Sequence, residues 1–223
     1  AQYYGAKDFE NLRKSLAHSY RLTAFIAAGV LILSQSFAAL VLTGLHTPSN
    51  IIGMSLLYLR IIFCGIPATA AYNMFASALR AMGNSKTPLT AMIIASVLNV
   101  SLDILFVAGF GWGVAGAAIA TVIAQSFSSV YCFLILRRID IVHLTRADFM
   151  PASGMNARLM KLGIPVVFQN IIIGVGGQVV QYVINGYGFL FVAGFTATNK
   201  LYGLLEMAAI SYGYAIVTYV GQN

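Results

Sequence analysis

The sequence predicts an all-α, polytopic membrane protein, and three observations carry that prediction. Of 223 residues, 59% are apolar and only 9% are charged, against about 45–50% and about 25% in an ordinary soluble domain. The apolar residues fall into runs of about 20 or more, the length that carries a helix across about 30 Å of hydrocarbon. The gaps between these runs alternate between rich in Lys and Arg and empty of them.

Six spans follow in order, at 22–45, 51–78, 89–110, 113–136, 162–186 and 189–219, each mainly Ala, Leu, Ile, Val, Phe and Gly. Segment 1–21 holds Lys7, Arg13, Lys14 and Arg21, and gap 79–88 holds Arg80 and Lys86. Gap 137–161 adds Arg137, Arg138, Arg146, Arg158 and Lys161, whereas gaps 46–50, 111–112 and 187–188 contain no Lys or Arg. Eleven of the 13 basic residues therefore share one side, which the positive-inside rule makes the cytoplasm. Both ends of the chain are expected there, as six spans require, with the protein in the inner (plasma) membrane.

Segment 1–21 reads as the end of a preceding helix plus a cytoplasmic stretch, and 22–136 as a block of four spans. Segment 137–161, with Pro151, Ser153 and Gly154, reads as a linker to a two-span block at 162–223; an ordinary loop on the lipid surface is the other reading. Tight turns are expected at Gly109–Gly113, with Trp112 at interface level, and at Gly186-Tyr187-Gly188. Gly65-Ile66-Pro67 recurs as Gly163-Ile164-Pro165, and a proline inside a span removes a backbone hydrogen bond and kinks the helix. A Gln also stands near each end, Gln2 and Gln222. The ends read as cut from something longer, and if the parent is built from two related halves, as many transporters are, one repeat is about 220 residues.

A formal charge of +7 invites a nucleic-acid partner, but such basic residues should cluster on one face of a folded domain. Here they sit in interspan gaps, so no nucleic-acid partner is expected. Cys64 and Cys132 lie inside apolar runs and read as small buried hydrophobes. His18, His46 and His143 are scattered, without zinc spacing.

Ionisable groups inside spans are costly and are functional candidates by default. Four qualify: Arg60, Asp103, Lys200 and Glu206. Asn99 lies four residues before Asp103, so the two side chains share a helix face. Counting from the turn at Gly111, Asp103 is about 12 Å deep and Asn99 about 18 Å, and Thr121 on the returning span is about 15 Å deep. A carboxylate, an amide carbonyl and a hydroxyl at one depth are hard oxygen ligands suited to a small cation. A desolvated carboxyl there also suits proton exchange. Two blander readings stand beside this one. The four groups Asn99, Ser101, Asp103 and Thr121 serve as interhelical glue, or Arg60, at similar depth, pairs with Asp103 as a structural ion pair.

Glu206, mid-way along the last span, is a candidate to line a cavity for a cationic substrate, while Lys200 is a weaker one that snorkels or pairs elsewhere. Gln169, Asn170, Gln178, Gln181 and Asn185 make the fifth span unusually polar, fitting a protein or water interface better than lipid. Tyr72 and Asn73 in the second span fit the same description more weakly.

The motifs together resemble one family. Ala1-Gln-Tyr-Tyr-Gly-Ala-Lys7, Leu79-Arg-Ala-Met-Gly-Asn-Ser-Lys-Thr-Pro-Leu89, Leu98-Asn-Val-Ser-Leu-Asp103, Gly111-Trp-Gly-Val-Ala-Gly-Ala-Ala118 and Val220-Gly-Gln-Asn223, in this order, are similar to the multidrug and toxic compound extrusion (MATE) family, closest to its prokaryotic branch named after a DNA-damage-inducible member. The resemblance covers the whole chain. It implies twelve helices in two six-helix lobes, a central cavity, and alternating access driven by Na⁺ or H⁺. Residues 1–6 would then end helix two, the four-span block would be helices three to six, and the last two spans would be helices seven and eight.

The family's amino-lobe cation site matches Asn99, Asp103 and Thr121 in type and spacing, and its backbone carbonyl ligand falls on Ala117. Its further Asp, on helix one, has no counterpart in these residues. The resemblance implies export of organic, mostly cationic compounds by antiport, no cofactor beyond the coupling ion, a bilayer setting and a monomeric full-length protein. A lipid-linked oligosaccharide flippase of the same superfamily is the alternative; an intramembrane enzyme is disfavoured, because no mid-span His and no second Asp accompanies Asp103.

Overall fold

A computed structural model describes residues 1–44, 49–150 and 154–223; His46, Pro151, Ser153 and the side chain of Asn185 lie outside the described residues. All regular elements among the described residues are helical. Six are long and apolar enough to cross a membrane, Phe9–Gly44, Ile52–Ala81, Lys86–Gly109, Gly113–Arg137, Met155–Ile184 and Gly194–Gln222. The all-α, six-span reading is therefore borne out.

After a short α1 (Gln2–Gly5), helix α2 runs from Phe9 to Gly44, starting well before the expected boundary at 22. Apolar content marks where the membrane begins, and the helix extends beyond it on polar residues. Asp8 accepts the Asn11 backbone N–H at 3.1 Å and its side-chain amide at 2.7 Å, which satisfies free donors of the first turn. Lys14 donates to Glu10 one turn earlier at 2.6 Å.

The second span is two helices, α3 (Ile52–Cys64) and α4 (Ile66–Ala81), joined at Gly65. Pro67 sits in the first turn of α4, where its missing N–H costs nothing. A Cβ on Gly65 would lie 3.0 Å from both the Ile62 carbonyl oxygen and Val122 Cγ2, so the helix carrying Val122 packs close at the break. The second Gly-Ile-Pro behaves differently. Pro165 lies within α7 (Met155–Asn185), which continues through it, and nothing stands within 4 Å of a Cβ on Gly163. The helix is interrupted at the first tripeptide and continues through the second.

Helix α5 (Lys86–Asp103) ends in a π-helical turn, Ile104–Gly109. The chain reverses at Phe110–Trp112, where the Trp112 N–H donates to the Phe106 carbonyl at 2.9 Å. Helix α6 (Gly113–Arg137) then packs against α3, α4 and α5. Its buried positions are mostly small, including Gly116, Ala118, Ala120, Ala124, Ser128 and Ser129, as close packing between membrane helices requires. At Gly116 a Cβ would stand 2.9 Å from Phe106 Cβ. That absence of a side chain lets the Phe106 and Trp112 rings stack at 5.0 Å.

Two short 3-10 turns follow, Asp140–Val142 and Arg146–Phe149, and both pack on α2. Arg13 pairs with the buried Asp148 at 3.8 Å, His18 Nε2 lies 3.2 Å from the Met150 carbonyl, and Arg21 donates to the Phe149 carbonyl at 3.0 Å. The Thr145 N–H and hydroxyl both donate to Asp148, at 2.7 and 2.8 Å. The Thr145 backbone N–H above all, with the hydroxyl and Arg13, holds the Asp148 carboxyl below its ordinary range, against burial pushing it up. A core of Leu79, Ala91, Cys132, Leu136 and Val142 closes this basic end. Cys132 is fully buried, as expected, but Cys64 is exposed.

The chain divides into two compact units, one of Ala1 and Tyr3–Met150, the other of Gln2 and Pro151–Asn223. In the second, α7 packs against α8 (Phe189–Gln222). Large apolar side chains face outward in both, Phe25 at 82% and Leu205 at 75% exposure, the surface a hydrocarbon solvent favours.

Candidate functional site

Helices α5 and α6 run antiparallel from the turn at Phe110–Trp112, which brings residues of equal depth together. The Asn99 amide nitrogen lies 3.4 Å from Thr121 Oγ1. Thr121 in turn gives its hydroxyl hydrogen to the Ala117 carbonyl at 2.9 Å. That carbonyl, a ligand candidate by resemblance, is thus already engaged within its own helix. One turn beyond Asn99 on α5, Asp103 is half-buried, and its Oδ1 is enclosed with no hydrogen-bond partner. A buried acceptor left unpartnered is costly, and this one stands at the point where α5 changes to the π-helical turn. Such turns are frequent at functional sites. Nothing in the residue pattern of α5 announces this turn.

Arg60 does not pair with Asp103. It is exposed on α3, its carbonyl accepts the Gln35 amide at 2.8 Å, and α3 packs on α2 and α6.

A cavity of about 320 Å³ opens beside the Asn99–Thr121 pair, between α4, α5 and α6. Tyr72 and Asn73 line it, together with Thr69, Ser96, Gln125 and Ser128, and no ionised side chain does. Thr69 donates to Gln125 across it, and the Tyr72 hydroxyl reaches the Pro88 carbonyl at 3.3 Å. Sequence reasoning missed Thr69, Gln125 and Ser128. Thr121, Gln125 and Ser128 form a polar stripe at helical spacing, a signal that was present but unread. Asp103 is not among the residues lining this cavity.

In the second unit, Glu206 and Lys200 are exposed on α8, and Gln169 and Asn170 are exposed on α7. Asn170 turns back to donate to the Val166 carbonyl at 2.9 Å. Among the described residues no three His, Cys, Asp or Glu side chains come together. An ion held near Asp103 would therefore be bound by mixed oxygen donors: carboxylate, amide and hydroxyl. That donor set and the enclosed, unpartnered Oδ1 fit a small hard cation or a proton.

Residues 1–105 match the MatE family model. A relative from Bacillus subtilis, "Probable multidrug resistance protein YpnP", is 36% identical over 184 residues, covering 82% of this chain and 41% of the relative. The chain is thus similar to the MATE family over its amino-terminal 105 residues. A second relative, "Multidrug export protein MepA" of Staphylococcus saprophyticus, is 23% identical over 98% of this chain and 49% of its own length. A crystal structure of a MATE protein in the bent conformation superposes with a TM-score of 0.87, at 23% identity, over 99% of this chain and 51% of the other; at that identity the likeness speaks for the fold. The chain spans about half the length of the curated relatives it matches.

Proposed function

We propose that the protein is a secondary active exporter of organic, mostly cationic compounds, driven by antiport of Na⁺ or H⁺ through alternating access. The observation that carries this reading is Asp103, whose enclosed and unpartnered Oδ1 stands one turn from the Asn99–Thr121 pair. A carboxyl so placed takes up a proton or, with Asn99 and Thr121, a cation, and its occupancy changes what α5 can pack against. The uncharged polar cavity beside the pair gives water and ions a route to that depth. The names of the multidrug relatives support drugs as the cargo.

In this reading the basic end, with Arg80, Lys86, Arg137 and Arg138, faces the cytoplasm. Glu206 on α8 is the candidate for attracting a cationic substrate, with Gln169, Asn170 and Lys200 as weaker candidates.

The test is efflux of a fluorescent organic cation from cells expressing the full-length protein, under imposed Na⁺ or H⁺ gradients. Efflux that depends on one gradient supports the reading and names the ion. No efflux of any cationic dye under either gradient contradicts it and turns attention to lipid-linked oligosaccharides.

A further inference from the structure

Two cavities at the basic end of the first unit share walls, and their chemistry differs in a way that matches one kind of molecule. The outer one, about 260 Å³, is lined by Arg137 and His143. The inner one, about 290 Å³, lies between α2, α4 and α6 and is walled by Ala24, Ala27, Pro67 and Ala71. Tyr20 and Phe133 line both, so the two adjoin at these rings. From Tyr20 to Ala27 the groove descends about 10 Å along α2, a depth that small alanine side chains leave open.

We infer that these cavities bind an anionic phospholipid of the cytoplasmic leaflet, its phosphate beside Arg137 and His143 and an acyl chain in the groove beneath. Arg137 is exposed, and Arg138 next to it adds a second cation. The acid paired with His143, Asp140, stands 3.6 Å from its Nε2, but the Asp140 side chain is fully exposed and does not line the cavity. Basic pockets between helices on the cytoplasmic side are the physical signature of anionic head-group binding. A lipid, unlike a free phosphate, offers both a head group for the basic cavity and an apolar chain for the groove beside it. The inference rests on the cytoplasmic placement proposed above for this end.

Native mass spectrometry on the full-length protein, taken from nanodiscs of equal phosphatidylglycerol and phosphatidylcholine, tests it. The wild type retains phosphatidylglycerol in preference. Arg137→Gln lowers that retention about fivefold, as loss of one interfacial cation predicts, without changing phosphatidylcholine. Ala24→Phe, which fills the groove from an exposed position, lowers retention of both lipids. Equal retention of the two lipids by the wild type, or unchanged phosphatidylglycerol in Arg137→Gln, overturns the inference, as does displacement of the lipid by an organic cation. Labelling of Arg138→Cys, on a Cys64→Ser background, by an impermeant thiol reagent from outside the cell would overturn the placement separately.

Discussion

Asn99 on α5 and Thr121 on α6 meet across the antiparallel pair, amide nitrogen to hydroxyl oxygen at 3.4 Å, while the Thr121 hydrogen goes to the Ala117 carbonyl at 2.9 Å. Thr121 thus accepts from a neighbouring helix and donates within its own, and its oxygen holds Asn99 at a fixed depth beside Asp103.

Replacing Thr121 with Val keeps the shape and removes that oxygen. The hydrogen bond is worth about 1 kcal/mol in a membrane setting, so the apparent affinity for the coupling ion falls about fivefold, while the yield of folded protein stays near the wild type. Ion-dependence curves of efflux check this; an unchanged curve would reduce Asn99 and Thr121 to packing contacts.

At Gly116 the closest approach is between the backbone of α6 and Phe106 of the π-helical turn, where a Cβ would meet Phe106 Cβ at 2.9 Å. Gly116→Ala forces the stacked Phe106 and Trp112 apart and costs about 1–3 kcal/mol by overpacking. Thermal unfolding in detergent measures the loss. Gly163→Ala, with nothing within 4 Å of the added Cβ, serves as the comparison and leaves the transition where it was.

Asp148 ties the segment after α6 to α2 through Arg13 and caps its own turn by accepting from Thr145. Its carboxyl is held below the ordinary value of 3.8 in the folded protein. The sign follows from linkage: its stabilisation is fully present above the unfolded value and is lost as pH falls through the lower folded one. The gap in melting temperature between wild type and Asp148→Asn is therefore constant from pH 7 to about 5 and closes at more acid pH. A gap that widens on acidification would contradict the linkage.

The spans were legible because hydrocarbon demands apolar helices of a set length, and the depth of Thr121 relative to Asn99 followed from counting residues back to a turn. Three things were not legible. The start of α2 at Phe9 depends on Asp8 and on the Glu10–Lys14 pair, which lie outside the apolar pattern. The split at Gly65, where Val122 of another helix lies close, does not recur at the identical tripeptide at 163–165. The π-helical turn after Asp103 and the lining by Thr69 and Gln125 are products of packing between helices. Arg60 shows the same limit: shared depth alone did not bring it to Asp103, because α3 packs on other helices.

The claim that Asp103 couples ion movement to export is tested most directly in proteoliposomes holding the full-length protein, by following Na⁺ or H⁺ flux when an organic cation gradient is applied. In the wild type the substrate gradient drives ions in the opposite direction. Asp103→Asn, which keeps the size of the side chain but cannot ionise, is predicted to insert normally, bind substrate and move no ions. Ion flux in Asp103→Asn equal to that of the wild type, for the same substrate moved, would show that the enclosed carboxylate is structural and that coupling resides elsewhere.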